Sequence, residues 1–283
     1  MSLGKALRAK PIIRHEGGTR SERADDFVAV EEPLEIRLAG RAVAVIMRTP
    51  GHDRELAAGF LVTEGLVRRR DEVLDLVRCT DGRTDAAGAG NENILDVLLA
   101  PGVAVDFARL TRHVFTSSSC GICSRASIEA VRGEFPPIAV PLSPRREVLA
   151  VLPERLRAAQ AAFEVTGGLH ASALFNAAGE LEVVREDVGR HSALDKVIGW
   201  AFFGERLPLA GRILLVSGRV SFEIMQKALA AGISCVASIS APTSAAVEFA
   251  EESGQTLVGF LRPAAGVGRQ EMRMNVYAGT LAG

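Results

Sequence analysis

A disulfide scaffold is the first architecture this sequence rules out. Only four cysteines occur in 283 residues, Cys79, Cys120, Cys123 and Cys235, too few to staple a fold and suited to a reducing compartment. No run of about 18 or more apolar residues is present, so no membrane-spanning helix is expected. The N-terminus mixes Lys5, Arg8, Lys10 and Arg14 with glycine and proline and offers no signal-peptide core. A cytoplasmic location is therefore expected. A basic excess is missing too: the formal net charge of −1 argues against a nucleic-acid-coating or membrane-steered surface, so any anionic ligand must be bound locally. Fixed-period repeats and heptads are also lacking.

What is present is the composition of a globular protein, 48% hydrophobic, long enough for one large or two smaller domains. Residues 1–26 are polar and aperiodic and read as a flexible leader outside any core. Leu34, Ile36 and Leu38 alternate with Glu35 and Arg37, and Ala39-Gly40-Arg41 leads into the apolar run Val43 to Met47, the pattern of a hairpin. Asp53 is placed to cap a helix with Leu56, Phe60 and Leu61 on one face and Gly65 past its end. Thr80 to Asn93 reads as a loop, and Ile94 to Leu99 as another strand.

Phe135 to Pro144 holds four prolines, too many for an interior helix or central strand, and is expected to be an extended connector. Beyond it, runs at Ile213 to Ser217, Ile233 to Ser238 and Thr256 to Leu261 alternate with helical stretches at Ser221 to Ala231 and Pro242 to Ser253, which predicts a parallel sheet. The expected organisation is a small α+β domain over 27–110 and an α/β domain over 111–283.

Cys120-Gly121-Ile122-Cys123, preceded by Ser117-Ser118-Ser119, is the most informative short motif. A zinc site would need two more ligands, but Cys79, Cys235 and the five histidines are scattered singly. A thioredoxin-like placement ahead of a helix over Ser124 to Arg132 would lower the first thiol below its ordinary pKa of about 8.5. That activates Cys120 for disulfide exchange and sulfur transfer alike. Chance placement of two small core residues fits poorly beside a serine run and glycine.

A second feature lies at the carboxyl ends of the predicted parallel strands, where open α/β sheets bind ligands: Ser217-Gly218-Arg219, Ser240-Ala241-Pro242-Thr243 and Phe260-Leu261-Arg262. Two of these loops lead into helices, whose unpaired N–H groups favour phosphate, and Arg219 and Arg262 can add charge. A phosphorylated, nucleotide-like ligand fits, although singly each residue also reads as solvated charge or a helix start. The third feature joins Thr166-Gly167-Gly168-Leu169-His170 with Glu186-Asp187-Val188-Gly189-Arg190-His191, where glycines allow close backbone approach beside imidazoles and a guanidinium. Against it stands a plainer reading, in which Asp187 caps the helix carrying Leu194, Val197 and Ile198.

Six ordered blocks, Thr49-Pro50-Gly51-His52-Asp53, Ser119 to Cys123, Thr166 to His170, Glu186 to His191, Ser240 to Thr243 and Asn275-Val276-Tyr277, make the chain resemble the formate dehydrogenase accessory sulfurtransferases, the FdhD family, from about Glu31 to Tyr277. The resemblance implies a cytidine-deaminase-like three-layer α/β/α domain with a smaller N-terminal α+β domain, and a homodimer. It implies that a cysteine desulfurase loads a persulfide onto Cys120. The sulfur then passes to the molybdenum bis(guanine dinucleotide) cofactor, a guanine-nucleotide-containing substrate, for formate dehydrogenase as client.

Deaminase chemistry is not expected: it needs a His-x-Glu motif and Pro-Cys-x-x-Cys, whereas Ser119 precedes Cys120 and His113-Val114-Phe115 lacks the glutamate. No tightly held metal is expected. Cofactor binding carries over to Phe260, Leu261, Arg262, Pro263, Ala264 and Ala265, with Arg219, Arg273, Gly167, Gly168 and His170 added from the residue reading. The sequence departs from the family pattern at Ser124, where glycine is expected, and by an insertion over 263–272. Cys120 is then the persulfide carrier and Cys123 its assistant, able to release sulfide by attacking Cys120. Two competing readings are a chaperone that shelters the cofactor without covalent chemistry, and a dithiol oxidoreductase.

Overall fold

The computed structural model describes residues 3–17, 20–79, 93–103, 105, 107, 135–263 and 272–283. The first of these correct an expectation. Residues 1–26 read as a leader, but after a short helix α1 (Leu3–Ala6) the strands β1 (Leu7–Glu16) and β2 (Arg20–Ala29) pair antiparallel, from Leu7 opposite Ala29 to Glu16 opposite Arg20. Most of the ribbon is exposed on both faces, so the chain carries none of the apolar alternation that a half-buried strand imprints. Its base is anchored by the fully buried Ala6, whose carbonyl accepts from Val30 N at 2.9 Å.

The hairpin legible at 34–47 is β3 (Glu32–Leu38) and β4 (Arg41–Arg48), joined through Ala39 and Gly40, both at positive φ. That is the turn chemistry a two-residue hairpin requires. With β5 (Val73–Cys79) and β6 (Ile94–Leu99) they form a sheet of order β4-β3-β6-β5, whose inner face is Leu34, Ile36, Leu38, Leu76, Leu95 and Val97. Helix α2 (Asp53–Thr63) follows β4, with Gly65 at φ 70 just past its end. Asp53 does not cap it: His52 holds that place in a left-handed conformation, while the Asp53 carboxylate accepts from Arg48 Nε at 3.0 Å and Arg78 at 2.7 Å. A buried guanidinium at Arg48 needs a counter-charge more than α2 needs a side-chain cap.

The second sheet has the order β12-β11-β10-β9-β7-β8, built from β7 (His170–Phe175), β8 (Leu181–Asp187), β9 (Ile213–Val216), β10 (Cys235–Ser238), β11 (Thr256–Pro263) and β12 (Met272–Ala278). The three strands expected to be parallel, β9, β10 and β11, are parallel. The flanking β7, β8 and β12 run antiparallel to their neighbours. Helices α3 (Arg146–Ala159) and α4 (Ala161–Thr166) precede β7. Then α5 (Arg190–Phe203), α6 (Phe222–Ala230) and α7 (Ser244–Ser253) alternate with strands, and 135–144 forms neither helix nor strand.

The fold is α/β. One face of the six-stranded sheet (Ala171, Ala173, Phe175, Leu215, Ala237) packs on Val148, Leu149, Leu152 and Leu156 of α3. The other face packs on α5, α6 and α7, and this cluster continues without a break through α2 into the four-stranded sheet. Helices α2 and α5 cross backbone to backbone: a Cβ on Gly59 would stand 1.8 Å from Asp195 O, and one on Gly199 1.8 Å from Glu55 O. The two sheets, drawn from residues 32–99 and 170–278, thus share a core through one close helix crossing.

Candidate functional site

Parallel strands leave their carboxyl ends as a ledge, and here the ledge borders a cavity of about 600 Å³. Its floor comes from Ser217 after β9, Ile239 after β10, and Leu261, Arg262 and Pro263 at the end of β11. One wall is Leu156 and Arg157 of α3, Gln160 between the two helices and Phe163 of α4, and the other is Gly167, Gly168, Leu169, His170 and Val188. Of the residues singled out from sequence, Gly167, Gly168, His170, Leu261, Arg262 and Pro263 are brought together here from two distant segments.

Gly167 ends α4 in the left-handed region, φ 63, and its N–H donates to Phe163 O at 2.7 Å. His170 opens β7, and burial together with the charges of Arg190 and His191 pushes its imidazole below the ordinary pKa, so the ring is neutral at pH 7. Phe260 is held at φ 54, its N–H donating to Ser240 O at 2.9 Å, inside a register shift between Gly259 and Arg262. A left-handed conformation at an aromatic residue costs about 1–3 kcal/mol and persists only where surroundings enforce it. Those surroundings include Gly259, where a Cβ would stand 2.8 Å from Pro242 and 2.9 Å from Tyr277.

The result is a ring flanked by guanidinium groups. Arg262 and Arg273 pair across β11 and β12, with their Cζ atoms 5.2 and 4.8 Å from the Phe260 centroid. Each interaction is favourable as a cation–π contact, and two cations beside one ring concentrate positive charge that suits an anion. Arg219 is exposed and does not line the cavity. Cys120, Cys123, Ala264 and Ala265 lie outside the described residues. Cys235 is fully buried, and burial pushes its thiol up to about 12. Cys79 is partly exposed.

The sequence reading missed Arg157, Gln160 and Phe163. They sit on helices whose pattern is obscured by Pro153 inside α3, and Arg157 stacks on Phe163 at 4.6 Å while pairing with Glu164. The Glu186 to His191 block proves to be structural in part. Asp187 is fully buried, 2.6 Å from the equally buried Lys196 Nζ, and accepts from Thr49 N and Gly189 N. Lys196 also donates to Thr49 O at 2.9 Å. Asp187 therefore ties the Thr49 block to the start of α5 instead of capping that helix. Glu186 accepts from Ala162 N and Phe163 N at the start of α4 and so sets the cavity wall.

Comparison with known proteins places this geometry in a family. A family model described as the FdhD/NarQ family matches residues 29–281. A relative from Streptomyces avermitilis named "Sulfur carrier protein FdhD" is 51% identical over 284 residues, covering 98% of this chain and 95% of that protein. One of the same name from Sulfolobus acidocaldarius is 43% identical over 256 residues, covering 90% and 93%. A crystal structure from Desulfotalea psychrophila, provisionally described as a formate dehydrogenase accessory protein, superposes with a TM-score of 0.70 at 25% identity, covering 97% of each chain.

Proposed function

The chain belongs to the FdhD/NarQ family, and from that premise we propose that it is a sulfur carrier in formate dehydrogenase maturation, moving sulfur from a cysteine desulfurase to the molybdenum bis(guanine dinucleotide) cofactor. Relatives bearing the name of sulfur carrier support the coarse role. The observation that carries the finer reading is the ledge cavity, where the Gly167 to His170 segment and Leu261 to Pro263 converge beside a doubly cationic aromatic platform. A phosphorylated, planar-ringed substrate matches it: Phe260 offers a stacking face, Arg262 and Arg273 offer charge, and Gly167-Gly168 lets backbone approach.

In this mechanism Cys120, as thiolate, attacks the terminal sulfur of the donor's persulfide. A new S–S bond forms on Cys120 and the donor cysteine leaves as thiolate. Attack of the Cys123 thiolate on Cys120 Sγ then expels sulfide toward the bound cofactor and leaves a Cys120–Cys123 disulfide. A cellular dithiol returns two electrons to reset it. The protein acts as a homodimer in the cytoplasm.

The test is intact-protein mass after incubation with a cysteine desulfurase and cysteine. A gain of about 32 Da, absent from Cys120→Ala, is the expected result. A Cys120→Ala protein that still fully supports formate dehydrogenase activity would replace this reading with a cofactor chaperone.

A further inference from the structure

Gln160, in the wall of the ledge cavity, is a buried polar residue without a structural task. It links α3 to α4 and is only 6% exposed. It stands at the N-cap of α4 yet makes no capping bond through its side chain, because the Glu186 carboxylate already accepts from Ala162 N and Phe163 N. Its carboxamide has no hydrogen-bond partner among the described residues, and neither polar atom of the amide is sealed from water. The opening it borders is the cavity. Buried polar groups in folded proteins are almost always paired, so an amide left open on a cavity wall is placed for a partner that a ligand brings.

The remainder of the cavity says which part of a ligand that is. Its other polar side chains are engaged or discharged: Ser217 Oγ accepts from Ala171 N at 2.9 Å, Arg157 pairs with Glu164 at 2.6 Å while stacking on Phe163, and the His170 imidazole is neutral at pH 7. Arg262 on the floor lies against Phe260, at the rim. No carboxylate lines the cavity among the described residues, and Pro153, Leu156, Phe163, Leu169, Ile239 and Leu261 make its walls largely apolar. Apolar walls with a few placed polar groups receive a flat ring, whose faces they cover and whose edge the polar groups orient. A bare phosphate would leave most of that surface unmatched.

A carboxamide presents a donor and an acceptor side by side, which matches a ring edge carrying a carbonyl next to an N–H. Turned over, it would also serve an adenine edge, so its surroundings decide. Arg157, about one turn earlier in the same wall, offers donors and no acceptor. Such a neighbour suits the O6 and N7 acceptors of guanine and leaves the amino group of adenine facing another donor. We infer that Gln160 selects the base of the substrate: Oε1 accepts from the ring N–H and Nε2 donates to the adjacent carbonyl of a 6-oxopurine, with the phosphates toward Arg262. This role rests on the nucleotide-bearing substrate of the proposed function and is independent of how the sulfur travels.

Calorimetric titration of the full chain with guanosine monophosphate, adenosine monophosphate and ribose phosphate tests it. The parent should bind the guanine nucleotide at least tenfold more tightly than the adenine one, about 1.4 kcal/mol. Gln160→Met keeps the length and flexibility of the side chain and removes the amide. It should erase that preference, with affinity for guanosine monophosphate falling at least tenfold. Affinity for ribose phosphate, which has no base to read, should stay as in the parent. Thermal stability should hold or rise, because no partner is stranded in the ligand-free chain, and a structural role would lower it. A Gln160→Met protein that still prefers guanine tenfold, or that loses ribose phosphate and melts lower, overturns the role of Gln160 and leaves the proposed substrate standing. A parent that binds both nucleotides alike overturns it too. A parent that binds neither overturns the proposed substrate along with it.

Discussion

Glu55 shows how a single side chain ties the two sheets together electrostatically. It lies on α2, yet its carboxylate accepts from Arg185 of β8 at 2.5 and 2.8 Å and lies 3.1 Å from His52. Burial alone would raise its pKa, but Arg185 and His52 win and hold it at about 2, against an ordinary 4.5. A carboxylate depressed on folding contributes stability that is complete above its unfolded pKa and is lost as pH falls toward the folded one. The window is therefore from about pH 4.5 down to about 2. Glu55→Gln leaves the partly buried Arg185 without its carboxylate partner and should cost about 2–3 kcal/mol at pH 7. The gap from the parent, read from urea midpoints, should narrow steadily below about pH 4.5. A gap unchanged down to pH 3 would mean the pair contributes nothing through its charge. Asp53, depressed by Arg48 and Arg78 against its burial, adds to acid sensitivity in both proteins and cancels in the difference.

At the scale of elements, the crossing of α2 and α5 is the feature least able to absorb change. The groups facing Gly59 and Gly199 are main-chain atoms of the opposite helix, which cannot rotate aside as a side chain can. Gly59→Ala and Gly199→Ala should each cost about 3 kcal/mol or more through forced separation of the helices. Gly168→Ala, whose nearest neighbour would be 3.7 Å away, should stay within about 1 kcal/mol of the parent. Denaturant midpoints for the three proteins decide the matter, and equal losses would remove the crossing from the account.

The same scale explains what could be read in advance. The strands β9 to β11 are buried on both faces and announce themselves as apolar runs between helices, and Leu34 to Leu38 announces itself by alternation. The ribbon of β1 and β2, with no buried face, could not. At the cavity, the glycine-histidine segment and Arg262 carry chemistry in their residue types, as does Phe260, which does not line it. Arg157 and Phe163 matter only through where α3 and α4 dock. The His191–Glu223 contact joins residues 32 positions apart (223 − 191) at no characteristic spacing, so only the folded chain reveals it.

For the molecule as a whole, the proposed function divides labour between segments far apart in the chain: a dithiol motif at 120–123 to carry sulfur, and a ledge built from 167–170 and 260–263 to hold the substrate. If carrying and holding are separate, they must fail separately. Phe260→Ala combined with Arg262→Gln removes the stacking face and one of its two cations, a loss of about 1.5–3 kcal/mol of charged contact. Guanine nucleotide affinity should fall at least tenfold, while desulfurase-dependent loading of Cys120 proceeds as in the parent. Cys120→Ala should do the reverse, keeping full nucleotide affinity and taking up no sulfur. A Cys120→Ala protein that loses nucleotide affinity to the same degree, with its thermal stability intact, would mean that the thiol is part of the substrate's binding surface and that the two tasks are one.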